Sequence, residues 1–127
     1  IEALTGNQSG VEIILNELRR RRDSLADILK QMEGISLFTP NSTFYLFPDI
    51  TDLYQHMEAQ SYEDFRSKIL RATGVSFCTR EHFGTPLPNV GRKYIRFAYS
   101  GITVDDIKEG MNRLNEYRRS FNSVVAV

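Results

Sequence analysis

Residues 11–32 carry apolar side chains at helical spacing over their whole length. Val11, Ile14, Leu15, Leu18, Leu25, Ile28, Leu29 and Met32 fall on one stripe, the i, i+3, i+4 pattern of an amphipathic helix. A helix this long has an apolar face to bury and so demands a second layer to bury it against. The four arginines Arg19, Arg20, Arg21 and Arg22 interrupt the stripe and read as a solvated, partly ion-paired face rather than an anion patch. Gly34 supplies the C-terminal stop.

The rest of the chain supplies that second layer. Residues 35–39 and 43–47 read as two short strands, with turn chemistry at Pro40, Asn41 and Ser42 between them. Phe44, Tyr45, Leu46 and Phe47 are apolar at every position, which predicts a strand buried on both sides. Ser61, with Asp64 three residues on, opens a second helix whose apolar face is Tyr62, Phe65, Ile69 and Leu70, and Gly74 closes it. Residues 75–78 read as a strand, 79–93 as a long connection containing Pro86 and Pro88, and 94–100 as another strand. Thr103 starts the last helix, with Asp105 and Asp106 at the positive end of its dipole and Val104, Ile107, Met111, Leu114, Tyr117 and Phe121 as its stripe. The predicted order is α-β-β-α-β-β-α. It implies an α+β fold in which a small, mainly antiparallel sheet is covered by helices on one face. Residues 1–127 read as one domain, with 1–10 as a linker leading into the first helix.

Charge and composition remove several function classes. Sixteen basic and sixteen acidic side chains cancel, whereas a nucleic-acid module normally carries a basic excess. Cys78 is the one cysteine, so an internal disulfide is impossible and a reducing, cytoplasmic setting is expected. One cysteine and two distant histidines, His56 and His82, give no metal-site spacing. No apolar run reaches membrane-span length, and no leader pattern opens the chain. The chain starts on Ile1 rather than methionine, which suggests processing or a chosen boundary.

The segment richest in chemistry is Tyr94-Ile95-Arg96-Phe97-Ala98-Tyr99-Ser100. Side chains alternate along a strand. Ile95, Phe97 and Tyr99 therefore face the helices, while Tyr94, Arg96, Ala98 and Ser100 face away. A mid-strand arginine beside a small residue has two readings. It is an exposed or locally paired charge, or its planar fork grips a carboxylate through two parallel hydrogen bonds. Pattern alone favours the first. His82 as a base and Cys78 as a nucleophile have no partners in the sequence and read as structural.

Five segments, in order, resemble the C-terminal small domain of class I/II, fold type I aminotransferases that use pyridoxal phosphate. They are the strand around Arg96; Ala3-Leu4-Thr5-Gly6 with Val11-Glu12 and Arg21-Arg22-Asp23; residues 40–50, beginning Pro40-Asn41-Ser42-Thr43-Phe44-Tyr45; Gly74-Val75 through Phe83-Gly84; and Ile107-Lys108-Glu109-Gly110 with Leu114. The resemblance spans about residues 3–121. It implies a longer parent, aspartate-aminotransferase-like, that moves an amino group between an amino acid and a 2-oxo acid. Arg96 would bind the substrate α-carboxylate, and Phe44 and Tyr45 would line the site. The Schiff-base lysine, the partner of the pyridinium nitrogen and the phosphate cradle would lie on a large domain of the same chain. No catalytic, cofactor-binding or metal residue is then assigned here, and this piece alone would be inactive. The parent would be a homodimer and the piece a monomer. Two departures stand out. Ser42 replaces a usual glycine, which puts the loop in doubt if a positive φ is needed there. Thr79-Arg80 replaces a usual Pro-Gly, and Arg80-Glu81-His82 reads as a surface loop with a local ion pair; the alternative places Arg80 or His82 at the site entrance. The chief rival function is a free-standing amino-acid-binding regulatory module. A single-strand RNA binder using sheet aromatics is a third, disfavoured by the net neutrality.

Overall fold

The computed structural model describes residues 1–85 and 91–122. A short helix α1 (Glu2–Thr5) precedes the long helix α2 (Ser9–Lys30). Then come strand β1 (Tyr45–Leu46), helix α3 (Thr51–His56), helix α4 (Tyr62–Thr73), strand β2 (Cys78–Thr79), a 3-10 turn (Arg80–Phe83), strand β3 (Ile95–Ala98) and helix α5 (Val104–Asn122). The fold is α+β with a small antiparallel sheet, in order β1-β3-β2. Residue pairs Tyr45 and Ala98, and Leu46 and Phe97, set one register; Cys78 and Arg96, and Thr79 and Ile95, set the other.

Helix α5 packs against both α2 and α4. Leu25 and Leu29 from α2, Phe65 and Ile69 from α4, and Ile107, Met111 and Leu114 from α5 are all buried. They meet Ile95, Phe97 and Tyr99 from the β3 segment, the alternate set expected to face the helices. An aromatic run, Phe65 to Phe77 to Phe97 with ring centroids 5.9 and 5.6 Å apart, joins α4 to the sheet. The caps follow the local sequence. Ser61 Oγ accepts the Asp64 N–H at 3.1 Å, and Gly74 ends α4 in the left-handed region at φ 73°. The Asp64 carboxylate reaches back to the Gln60 N–H rather than to that of Ser61. Thr103 Oγ1 likewise accepts the Asp106 N–H at 3.1 Å.

Several expectations are corrected. Residues 35–39 do not form a strand; Ser36 alone bridges Asp49, through backbone bonds of 3.0 and 2.9 Å. The strand expected at 43–47 shrinks to Tyr45–Leu46, and it is not buried on both sides: Phe44 and Phe47 are 38% and 43% exposed. Helices cover one face of the sheet only, which leaves Phe47 on the open side with Tyr45, and Phe44 lies before the two-residue strand begins. Ser42 is not the left-handed residue of that loop; Thr43 is, at φ 67°, a conformation that costs a β-branched residue about 1–3 kcal/mol. The Thr43 carbonyl accepts the Tyr99 hydroxyl at 2.8 Å, a tie from the core that holds the loop there.

The first half of the α2 stripe is exposed at Val11, Ile14 and Leu15, as is Leu70 on α4. The arginines of α2 are not uniformly solvated. Arg21 donates to the Ser100 carbonyl at 2.6 Å and Arg22 to the Pro40 carbonyl at 3.3 Å, so both tie the helix to loops. Helix α3 was not anticipated. Asp49 starts it by accepting the Thr51 N–H at 3.0 Å, but six residues are too few to show a period. The expected connection 79–93 begins as strand and 3-10 turn, and its Pro86 and Pro88 lie outside the described residues.

Candidate functional site

Strand β3 is the middle strand, so its outward side chains have neighbours on both flanks. Arg96 lies mid-strand, half-buried, on the face away from the helices. Its guanidinium carbon sits 4.2 Å from the centroid of the Tyr45 ring and 4.2 Å from that of Phe83. Register explains the first contact: Tyr45 lies opposite Ala98, diagonal to Arg96. The 3-10 turn brings the second, since it carries Phe83 back towards the sheet directly after β2. Such cation–π contacts are each worth about 0.5–2 kcal/mol, and both restrict where the guanidinium can sit.

Two aromatic rings thus lie against the Arg96 guanidinium. Arg96 Nε is buried and has no hydrogen-bond partner. Nη2 has only the weak acceptor Cys78 Sγ, at 3.8 Å. Among the described residues no carboxylate pairs with Arg96, although eight other ion pairs are present there. A buried donor without a partner is costly. A planar, oriented and unneutralised guanidinium is suited to a carboxylate arriving edge-on.

Of the residues singled out from the sequence, Arg96 and Tyr45 are in contact. Phe44 packs on Tyr45, with centroids 4.4 Å apart and planes tilted by 48°, and borders the site through that ring. Phe83 and Cys78 were missed as site residues. Phe83 was readable only as part of the Phe83-Gly84 resemblance, because no strand or helix period includes it. Tyr94, on the same β3 face as Arg96, stacks on Phe47 at 5.4 Å with planes 7° apart. The aromatics that looked like strand core therefore furnish the open face of the sheet.

Arg80, Glu81 and His82 do not form a loop with a local ion pair. His82 Nδ1 accepts the Thr79 N–H at 3.1 Å and lies 2.9 Å from Thr79 Oγ1, so it caps the 3-10 turn. The ring nitrogen is thereby engaged in structure. Among the described residues, no three histidine, cysteine or acidic side chains cluster as a metal site. No helix of the described residues is long and apolar enough to cross a membrane.

No protein-family model matches the chain. Known proteins do. An asparagine-oxo-acid transaminase of Streptococcus mutans is 31% identical over 120 residues, covering 92% of this chain and 28% of that protein. An aspartate aminotransferase of Sulfurisphaera tokodaii is 31% identical over 107 residues, covering 84% of this chain and 26% of its own length. The chain thus spans little more than a quarter of the curated relatives it matches. Among solved structures, an aromatic aminotransferase from Pyrococcus horikoshii superposes with a TM-score of 0.77 at 25% identity, over 94% of this chain and 30% of that one. In both sequence and fold, this chain corresponds to the C-terminal small domain of fold type I aminotransferases.

Proposed function

We propose that residues 1–127 act as the small domain of a pyridoxal-phosphate-dependent aminotransferase, in which Arg96 binds the α-carboxylate shared by amino-acid and 2-oxo-acid substrates. The observation that carries this reading is the Arg96 fork, set against the Tyr45 and Phe83 rings with Nε buried and unpartnered. A carboxylate held by two parallel bonds has its Cα oriented, and orientation of this kind lowers the barrier to proton abstraction at that carbon. The Tyr45 and Phe83 rings, each 4.2 Å from the guanidinium carbon, would shield part of that ion pair from water and so strengthen it.

Pyridoxal phosphate, when bound, supplies the electron sink for that abstraction. The lysines of this chain do not suit its attachment. Lys68 Nζ is paired to Asp64 at 2.8 Å, and Lys93 Nζ lies 5.0 and 4.9 Å from the ring centroids of Tyr54 and Tyr62. Lys30 and Lys108 are exposed on α2 and α5. The cofactor would be held by a large domain on the same chain, in a cytoplasmic homodimer built through that domain. This chain's part is to bind and orient the substrate.

The test is Arg96→Ala in the full-length protein, assayed with several amino acids. Losing a charged partner in a closed site costs about 2–5 kcal/mol, which is roughly thirty-fold to several-thousand-fold in kcat/KM. The loss should be similar for every substrate, because the α-carboxylate is common to all. Arg96→Lys should recover part of it, since an ammonium lacks the fork. Unchanged kinetics together with a sharply lowered melting temperature would make Arg96 a structural residue.

A further inference from the structure

We propose that His82 is a positioning residue of the site: it caps the 3-10 turn at Thr79, the turn holds Phe83 against the Arg96 guanidinium, and that contact sets where Arg96 meets a carboxylate. The link to substrate rests on the reading of Arg96 given above; the hold of His82 on Phe83 does not. Thr79 stands where the resembling segments usually carry proline, which has no N–H, so this chain has a donor there to satisfy.

Strand β2 lies at the edge of the sheet. Just beyond it, the Arg80 N–H donates to the Tyr94 carbonyl, on the β3 side, at 3.1 Å. Successive amides along a strand face opposite edges, so the Thr79 N–H points to the outer edge. Thr79 is buried, and a buried N–H without an acceptor is costly. His82 Nδ1 is that acceptor, at 3.1 Å. The Thr79 side chain in turn accepts the His82 backbone N–H. These two bonds close the turn over Arg80 and Glu81.

Phe83 follows His82 directly. It is 42% exposed, so burial does not fix it, yet its ring centroid is 4.2 Å from the Arg96 guanidinium carbon. On its other side the chain is set by Gly84 at φ 117°, a conformation that glycine adopts readily and other residues do not. Phe83 is thus held between a capped turn and a glycine. Tyr45, by contrast, is carried by β1 and placed by strand register. Loss of the Nδ1 acceptor frees the turn and lets the Phe83 ring leave Arg96, while Tyr45 stays.

Two measurements on the full-length protein test this. Phenylglyoxal modification of Arg96, mapped by mass spectrometry without substrate, reads how far Phe83 covers the guanidinium. Steady-state kinetics with several amino acids read the consequence for substrate. His82→Ala should speed modification of Arg96 and lower kcat/KM about fivefold, the equivalent of one lost side-chain cap, with the change mostly in KM. His82→Asn should restore most of both, because its amide oxygen keeps an acceptor at the place of Nδ1; it also guards against misfolding of the alanine variant. Phe83→Leu should resemble His82→Ala, and adding His82→Ala to it should change nothing further. A wild-type rate of Arg96 modification in His82→Ala overturns the proposal. So does an additive double variant, or an unchanged KM in His82→Ala where Arg96→Ala is damaging. If Arg96→Ala leaves the kinetics unchanged while His82→Ala still speeds modification, the role of Arg96 in binding fails and the hold of His82 on Phe83 stands.

Discussion

Asp49 offers a test of how the sheet's edge is held together. It is 8% exposed and sits where strand, bridge and helix meet. Its Oδ1 accepts the Thr51 N–H at 3.0 Å and the Thr51 hydroxyl at 2.5 Å, and its Oδ2 accepts Arg92 Nη1 at 2.7 Å. Thr51 Oγ1 in turn accepts the Lys93 N–H at 2.9 Å, so one carboxylate organises the start of α3 and the approach to β3. Asp49→Ala removes the acceptor from two Thr51 donors. Hydrogen bonds to a charged group contribute about 1.5–3 kcal/mol each. Water entering the gap returns part of that, which leaves an expected loss of about 2–4 kcal/mol. The Arg92 guanidinium is open to solvent and screened, so it adds little. Burial pushes the Asp49 carboxyl up, but the bonds from Thr51 and Arg92 outweigh it and hold the group below its ordinary value. A depressed folded-state value stabilises the fold above the unfolded-state value, about 3.9 for aspartate, and that contribution is lost as pH falls through the folded value. Urea titrations of wild type and Asp49→Ala between pH 7 and pH 2 check this. The gap between the two proteins should be full at neutral pH and should narrow below about pH 4. A gap of the same size at every pH would refute the charge-based account, and no gap at all would refute the clamp.

Two further substitutions probe the elements that frame the site. Tyr99→Phe deletes the hydroxyl that holds the Thr43 carbonyl and should cost about 1 kcal/mol, read as a melting temperature lower by roughly 3–6 °C; an unchanged melt would mean that the left-handed Thr43 needs no such tie. Gly74→Ala meets only Arg113 Nη1, at 3.5 Å, so the penalty should come from φ 73° alone, about 1–2 kcal/mol by chemical denaturation. A loss several times larger would point to a packing clash instead.

The helices at Ser61 and Thr103 were legible because their signals are local: a hydroxyl cap, an acid three residues on, and a stripe repeating over several turns. Helix α3 was illegible because it is one and a half turns long and its start depends on Asp49, which is positioned by Ser36 and Arg92 from distant parts of the chain. The exposure of Val11, Ile14 and Leu15 has the same character. Their spacing is that of a buried face, but which part of a long stripe is covered depends on what packs against it, and here the buried stretch begins only near Leu25.

By itself, the sequence determined the alternation along residues 94–100, and with it the separation of Arg96 from Ile95, Phe97 and Tyr99, because the period of a strand is a property of the backbone. Only the tertiary structure decided that Tyr45 and Phe83, thirty-eight positions apart by number, both close on one guanidinium. Only it left the donors of Arg96 and Arg80 unspent. Those facts arise from strand register and from the path of a 3-10 turn, which are set by the packing of α4 and α5 beneath the sheet and not by any pattern of neighbouring residues.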